Sequence, residues 1–199
     1  MKPTQWDERY ATQEYQYGTE ANDFLRSRAE QLTLGKCLCL AEGEGRNAVY
    51  LAQLGHQVTA VDASGVGLRK AEQLARQRGI TITTQVADLG EYAIDAESWD
   101  SIISIYCHVD GAIRPELHRK VVAGLRPGGK LILEAYRPEQ LSYGTGGPPT
   151  LEKLMSLKQL QHELQGLKML YAEELEREVL EGQLHTGIGA IVQIVAEKP

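Results

Sequence analysis

Apolar residues arrive along this chain in short bursts, and the bursts alternate with stretches of helical period. Strand-like runs fall at 36–41, 57–61, 81–86, 99–106 and 130–136. Between them, 46–54, 64–78 and 113–125 carry a helical pattern, with Ser64 placed as an N-cap and Gly79 as a C-terminal stop for the second. Strands alternating with helices predict βαβ units, hence a parallel sheet with helices on both faces. The last third breaks this rhythm. Gly144-Thr145-Gly146-Gly147-Pro148-Pro149 reads as a loop and 151–163 as a helix. Two long strand-like runs follow, 168–182 and 185–198, joined near Gly182 with no helix between them. Without a crossover they should pair antiparallel. The expected fold is α/β: a doubly wound, mostly parallel seven-stranded sheet ending in an antiparallel hairpin. We read 1–199 as one domain, with a polar, aromatic helical segment at 1–30, a βαβ core at 36–136, and a closing helix and hairpin at 137–199.

Composition changes this picture little but excludes partners. A chain of 199 residues with 42% apolar content can bury a sizeable core. Its formal charge of −6 disfavours a nucleic-acid or anionic-membrane surface, which would repel it. No apolar run approaches the roughly 20 residues of a membrane span, and MKPTQWDERY lacks the apolar core of a signal peptide. Three cysteines, Cys37, Cys39 and Cys107, have neither disulfide-framework nor metal-site spacing. They read as small core residues in a reducing cytoplasm, and no metal is expected.

Ligands of open α/β sheets bind outside the carboxyl ends of the strands, at the point where strand order reverses. That places Ala41–Gly45, Asp62, Asp88 and Ser104–His108 around one crevice. Gly43-x-Gly45-x-x-Ala48 formally matches a dinucleotide fingerprint. The charges beside it argue otherwise. A pyrophosphate is held by free N–H groups and the positive end of a helix dipole, and Glu42 and Glu44 set negative charge beside it. A cofactor without phosphate, bearing an ammonium and a sulfonium, meets the opposite electrostatics. S-adenosylmethionine is such a ligand.

The motifs that follow one another along the chain support it. They are Glu42-Gly43-Glu44-Gly45-Arg46-Asn47, Val61-Asp62-Ala63-Ser64, Ala87-Asp88-Leu89, Trp99-Asp100, and Leu125-Arg126-Pro127-Gly128-Gly129-Lys130. With Trp6-Asp7-Glu8-Arg9-Tyr10 and Tyr17-Gly18-Thr19-Glu20 near the start, the chain resembles the class I S-adenosylmethionine-dependent methyltransferases. It is most similar to the small tellurite-resistance and thiopurine methyltransferase kind. Two positions depart from that pattern. Cys39 stands where the family commonly has an aspartate, and Ala41 where it has a glycine.

The resemblance implies a set of cofactor residues. Asp62, followed by Ala63, takes the ribose hydroxyls; the plainer alternative is a carboxylate at a helix start. Asp88 and Leu89 sit beside adenine, or Asp88 is a solvated loop acid. With Cys39 unable to supply a carboxylate, Glu42 or Glu44 is expected to meet the methionine ammonium. Gly43 and Gly45 let the backbone approach the ligand. Arg46 or Asn47 bonds its carboxylate or simply lies on the surface. Ser104 and Tyr106 close the fourth-strand side. Trp6, Tyr10 and Tyr17 form an aromatic lid over the sulfonium, or a brace under the first helix. His108 and, by resemblance, His185 in the hairpin are the catalytic candidates, each against a loop histidine of no catalytic role. Arg114 and Arg137 can recognise an anion or be ordinary surface charge.

Methyl transfer is an in-line displacement in which the protein chiefly supplies alignment and a dry site. The loop after the fourth strand lacks the Asn-Pro-Pro-Tyr signature of many amino methyltransferases. The acceptor expected is therefore a small soft nucleophile: a thiol, or a selenium or tellurium oxyanion. The rival functions are a non-catalytic S-adenosylmethionine-binding module and an NAD(P)-binding oxidoreductase.

Overall fold

The computed structural model describes residues 3–199, with side chains from Gln5 onward. Its strands are β1 (Lys36–Leu40), β2 (Gln57–Asp62), β3 (Thr83–Val86), β4 (Trp99–Ile105), β5 (Leu125–Tyr136), β6 (Lys168–Glu181) and β7 (His185–Glu197). They form one sheet in the order β3-β2-β1-β4-β5-β7-β6. The first five pair in parallel, and β7 runs antiparallel to both β5 and β6. The expected mixed sheet with a terminal hairpin is thus the observed one.

The unbroken apolar run of β1 follows from its central place. Leu38 and Leu40 face one core with Ile102, Leu131 and Leu133. Cys37 and Cys39 face the other, with Ile103, Ile132 and Val195. Both thiols are free and buried, as small core residues.

The helices are α1 (Pro3–Tyr10), α2 (Asp23–Arg28), α3 (Arg46–Gln53), α4 (Gly65–Gln77), α5 (Arg114–Gly124) and α6 (Leu157–Glu163). Ser64 caps α4 as expected, accepting from the Gly67 amide at 3.0 Å. One element differs. The expected helix over 151–163 is a short 3-10 turn at Leu151–Lys153, an extended step, and then α6. Burial overrides periodicity there: Leu154 and Met155 sink into the core, and the Met155 amide donates to the Tyr136 carbonyl at 3.0 Å. Ser156 then restarts the helix through a capping box with Gln159.

Candidate active site

Strand order reverses between β1 and β4, and the loop joining β1 to α3 lies at that crevice. Ala41 adopts φ +50°, a left-handed conformation that costs a residue with a Cβ about 1 kcal/mol or more. It stands where the resembled family has glycine, so the loop keeps the turn despite the substitution. Gly45 is needed for packing: a Cβ there would lie 2.4 Å from the Ala71 Cβ on α4. A Cβ on Gly43 would lie 2.6 Å from the Tyr10 hydroxyl. The two glycines were expected to let the backbone approach a ligand; the atoms that approach them here are the protein's own.

The two glutamates do different work. Glu42 Oε1 accepts the amides of Asn47 at 3.0 Å and Ala48 at 2.8 Å, in the first turn of α3. Burial pushes the Glu42 carboxyl up to about 7, opposed by those amides and by Arg46. Asp62 accepts from the Gly43 amide at 2.9 Å and the Ser64 amide at 2.8 Å. Burial raises its carboxyl as well, and the amides partly offset this. Glu44 instead accepts from the Gln16 amide at 2.7 Å and pairs with Lys70 at 2.5 Å. With both oxygens engaged it is not available to a cofactor ammonium. Of the two expected candidates, only Glu42, through Oε2, remains.

The segment from α1 to Asn22 forms a strap across this loop. Asp7 accepts from Ser64 Oγ at 2.6 Å, docking α1 on the start of α4. Lys70 Nζ reaches the carbonyls of Tyr10, Thr12 and Glu14 at 3.4, 3.1 and 2.7 Å. At the far end, Gly18 packs backbone to backbone on Gly182, and the Gln183 amide donates to Gln16 O at 2.9 Å. The strap carries a run of rings. Trp6 stacks on Tyr10 at 5.5 Å, Tyr10 meets Tyr17 at 6.3 Å, and Tyr17 meets His185 at 4.5 Å. His185 then contacts Tyr106 at 4.7 Å, and Tyr106 stacks on Tyr136 at the same distance. Tyr106 holds φ +52°, which turns its ring inward at the end of β4.

The two histidines are not equivalent. His108 Nδ1 contacts the Lys153 carbonyl at 2.8 Å, and its Nε2 accepts the Tyr136 amide at 3.2 Å. Those contacts assign the neutral tautomer protonated at Nδ1. Burial lowers the ring to about 4. No nitrogen is left to touch an acceptor, so His108 ties the loop after β4 to the end of β5 and to the 151–153 turn, which departs from the catalytic expectation. His185 is lowered to about 3, by burial first. Its Nδ1 is buried with no hydrogen-bond partner among the described residues.

The remaining candidates divide in the same way. Asn47 Oδ1 accepts the Asn22 amide at 2.9 Å, and Arg46 pairs with Glu181 in the hairpin. Neither faces outward as a free ligand group. Arg114 grips Glu163 and two loop carbonyls, and Arg137 lies among Glu139, Glu174 and Glu176. Asp88 is exposed at the mouth and accepts from the Gly90 amide at 2.8 Å, beside buried Leu89. Ala63 follows Asp62 into α4, and Ser104 is buried near the end of β4. Burial pushes the Cys107 thiol up to about 12, so it is no nucleophile.

Sequence reasoning missed a buried polar network beneath the rings. Glu134 accepts from Asn22 Nδ2 at 2.7 Å, Arg177 at 2.7 Å and Gln193 at 2.5 Å. Glu181 accepts from Asn22 at 2.8 Å and Arg177 at 2.9 Å, besides Arg46. A charged residue inside an apolar strand, such as Glu134 in Leu131–Tyr136, is the one signal that pointed to it. Lys70 had no signal, being one charge on an amphipathic helix.

Residues 37–129 match the family described as a methyltransferase domain. That stretch is less than half of the chain and holds most of the motifs read from the sequence. Two curated relatives are Hemagglutinin 1 of Eikenella corrodens, 27% identical over 120 residues, and the 2-heptyl-1-hydroxyquinolin-4(1H)-one methyltransferase of Mycobacteroides abscessus, 25% identical over 122. The matches cover 59% and 57% of this chain, which spans 40% and 54% of the relatives. Among solved structures, TehB from Haemophilus influenzae superposes with a TM-score of 0.74 at 18% identity, covering 100% of this chain and 67% of TehB. NodS from Bradyrhizobium japonicum, an N-methyltransferase solved with S-adenosyl-L-homocysteine, gives 0.71 at 18% identity, covering 100% of both chains. At such identities these structures share the fold. The match falls on the part of the chain that carries the expected cofactor motifs.

Proposed function

We propose that this chain transfers a methyl group from S-adenosylmethionine to a small-molecule acceptor, with a soft nucleophile as the acceptor class. One observation carries the cofactor reading. Glu42 Oε1 already fills the anion position at the start of α3, taking the amides of Asn47 and Ala48. The Gly43 amide is likewise taken by Asp62. With three of these amides serving internal carboxylates, the loop has fewer donors to offer a pyrophosphate, and its charge suits a cationic ligand.

The bound cofactor supplies an electrophilic methyl on a positively charged sulfur. Everything else falls to the chain. Asp62, with Ala63, orients the ribose through carboxylate lone pairs that its two amides leave free. Asp88 and Leu89 flank the adenine. Glu42 Oε2 meets the ammonium. Ser104 and Tyr106 close the crevice beside Gly43. Trp6, Tyr10 and Tyr17 exclude water and present π faces to the positive charge. His185 Nδ1 receives the acceptor's proton where there is one, while His108 holds the loop after β4 in place. The relative named as a methyltransferase of a hydroxyquinolone supports a small-molecule acceptor, and the chain's charge of −6 supports no nucleic-acid partner.

Calorimetry decides the cofactor. S-adenosylhomocysteine should bind and NADH should not. Comparable affinity for NADH would overturn the reading.

A further inference from the structure

The acceptor side of the crevice has a property that follows from neither the fold nor the cofactor. Every arginine around the rings except the exposed Arg9 is paired with a carboxylate. Arg46 pairs with Glu181, and Arg177 with Glu134, Glu181 and Asp23. Two buried carboxylates thus balance two guanidinium groups directly beneath Tyr106 and His185. Arg114 and Arg137 are committed to glutamates of their own. Arg9 is exposed, lies over Trp6 and donates to the Tyr17 hydroxyl at 3.0 Å. An oxyanion entering this place would shed its water among guanidinium groups already held by carboxylates, with only the solvent-exposed Arg9 free of one among the described residues, which is strongly unfavourable.

What the place does offer is π surface and two uncharged polar atoms. The Tyr136 ring is fully buried, and its hydroxyl has no hydrogen-bond partner among the described residues. His185 Nδ1 is also buried and unpartnered among the described residues, on a ring set edge-on to Tyr136 at 5.4 Å. Gly146 closes over both: a Cβ there would lie 3.3 Å from His185 Cδ2 and 3.5 Å from the Tyr136 hydroxyl. A phenol hydroxyl can donate and a neutral imidazole nitrogen can accept. Together they complement one neutral group that both accepts and donates, such as a thiol.

Resting on the cofactor reading above, we propose that the acceptor is a neutral, polarisable molecule rather than an oxyanion. Its reactive atom is held between Tyr136 Oη and His185 Nδ1 under the Gly146–Gly147 turn. With a thiol, the acceptor's sulfur–methyl bond forms as the sulfonium–methyl bond breaks. The thiol proton passes to His185 Nδ1, and S-adenosylhomocysteine leaves neutral, so charge is conserved. Tyr136 is a specificity residue here, because its hydroxyl is uncharged and points at the acceptor rather than the cofactor.

The test uses the full chain and labelled S-adenosylmethionine, with benzyl mercaptan as the neutral probe and selenite and tellurite as the anionic ones. Calorimetry with S-adenosylhomocysteine comes first, so that loss of the cofactor reading is recognised separately. The thiol should be methylated with a kcat/KM at least about 100-fold above either oxyanion. Tyr136→Phe should raise the thiol KM about fivefold to tenfold, and Gly146→Val should abolish turnover, both with unchanged S-adenosylhomocysteine affinity. Glu181→Gln, which frees arginine charge beside the rings, should strengthen inhibition by selenite at least about tenfold. Selenite or tellurite turned over as well as the thiol, or a thiol left inert by protein that binds S-adenosylhomocysteine, overturns the proposal. If Glu181→Gln folds poorly, the wild-type rate ratio alone decides.

Discussion

Lys70 Nζ lies 2.5 Å from Glu44 Oε1, in an ion pair that is almost wholly shielded from water. The same ammonium collects three strap carbonyls, so a single side chain on α4 holds both the glycine loop and the segment that covers it. Lys70→Met should therefore leave Glu44 as an unpaired buried carboxylate, costing about 3 kcal/mol or more. Hydrogen exchange of the 10–17 amides should accelerate. Unchanged protection there, measured beside a urea melt, would show that the strap is held by its rings alone.

Glu42→Ala removes the oxygen that accepts the Asn47 and Ala48 amides. Two donors at the start of α3 lose their partner, and stability should fall by about 2–4 kcal/mol. Glu42→Gln keeps an acceptor oxygen in place and should stay within about 1 kcal/mol of wild type. Equal losses for the two variants in chemical denaturation would mean that the negative charge, rather than the acceptor oxygen, is what matters.

Asp62 joins the end of β2 to the Gly43 and Ser64 amides. If its remaining lone pairs take ribose hydroxyls, Asp62→Ala should weaken S-adenosylhomocysteine by about 1.5–3 kcal/mol, the worth of two charge-assisted hydrogen bonds. Calorimetry reads this directly. An unaltered dissociation constant removes Asp62 from the cofactor.

His108 and His185 give the protein an acid limit. Burial holds them at about 4 and about 3, against 6.5 for a free imidazole. The unfolded chain therefore binds more protons between about pH 6.5 and the folded values, and stability rises with pH across that window. The contribution is fully present above 6.5 and is lost as pH falls toward 4 and 3. At 1.4 kcal/mol per unit, each ring should account for about 2 kcal/mol between pH 7.5 and pH 5. Urea melts of His108→Gln and His185→Gln should show a correspondingly flatter pH dependence. A slope identical to wild type would mean that carboxylates alone set the acid limit.

Gly182 has φ +69°, and a Cβ on it would lie 2.4 Å from Gln16 O and 2.5 Å from Gly18 N. Gly182→Ala must push the strap off the hairpin turn. Methyl transfer should fall at least about tenfold while the sheet's circular dichroism is retained. Full activity would show that the strap–hairpin contact plays no part in catalysis.

The order of apolar bursts and helical stretches determined the sheet by itself, because period two and period 3.6 are local properties of the chain. The antiparallel ending was equally legible, since β6 and β7 are separated by too few residues for a crossover. The charge of the glycine loop also lies within six consecutive residues, so the argument against a phosphate needs nothing beyond the sequence. What Glu42 and Glu44 do with their charge was not. One turns back on α3, while the other reaches Lys70 and Gln16, and only folding brings those partners within 3 Å. The same holds for His108 and His185, which look alike as loop histidines. Packing gives one two backbone partners and leaves the other with a bare nitrogen among tyrosines. The network of Asn22, Glu134, Arg177 and Glu181 joins residues as many as 159 positions apart. Pairing across that distance is decided by which apolar faces bury together, and the polar groups are matched only where that burial leaves them.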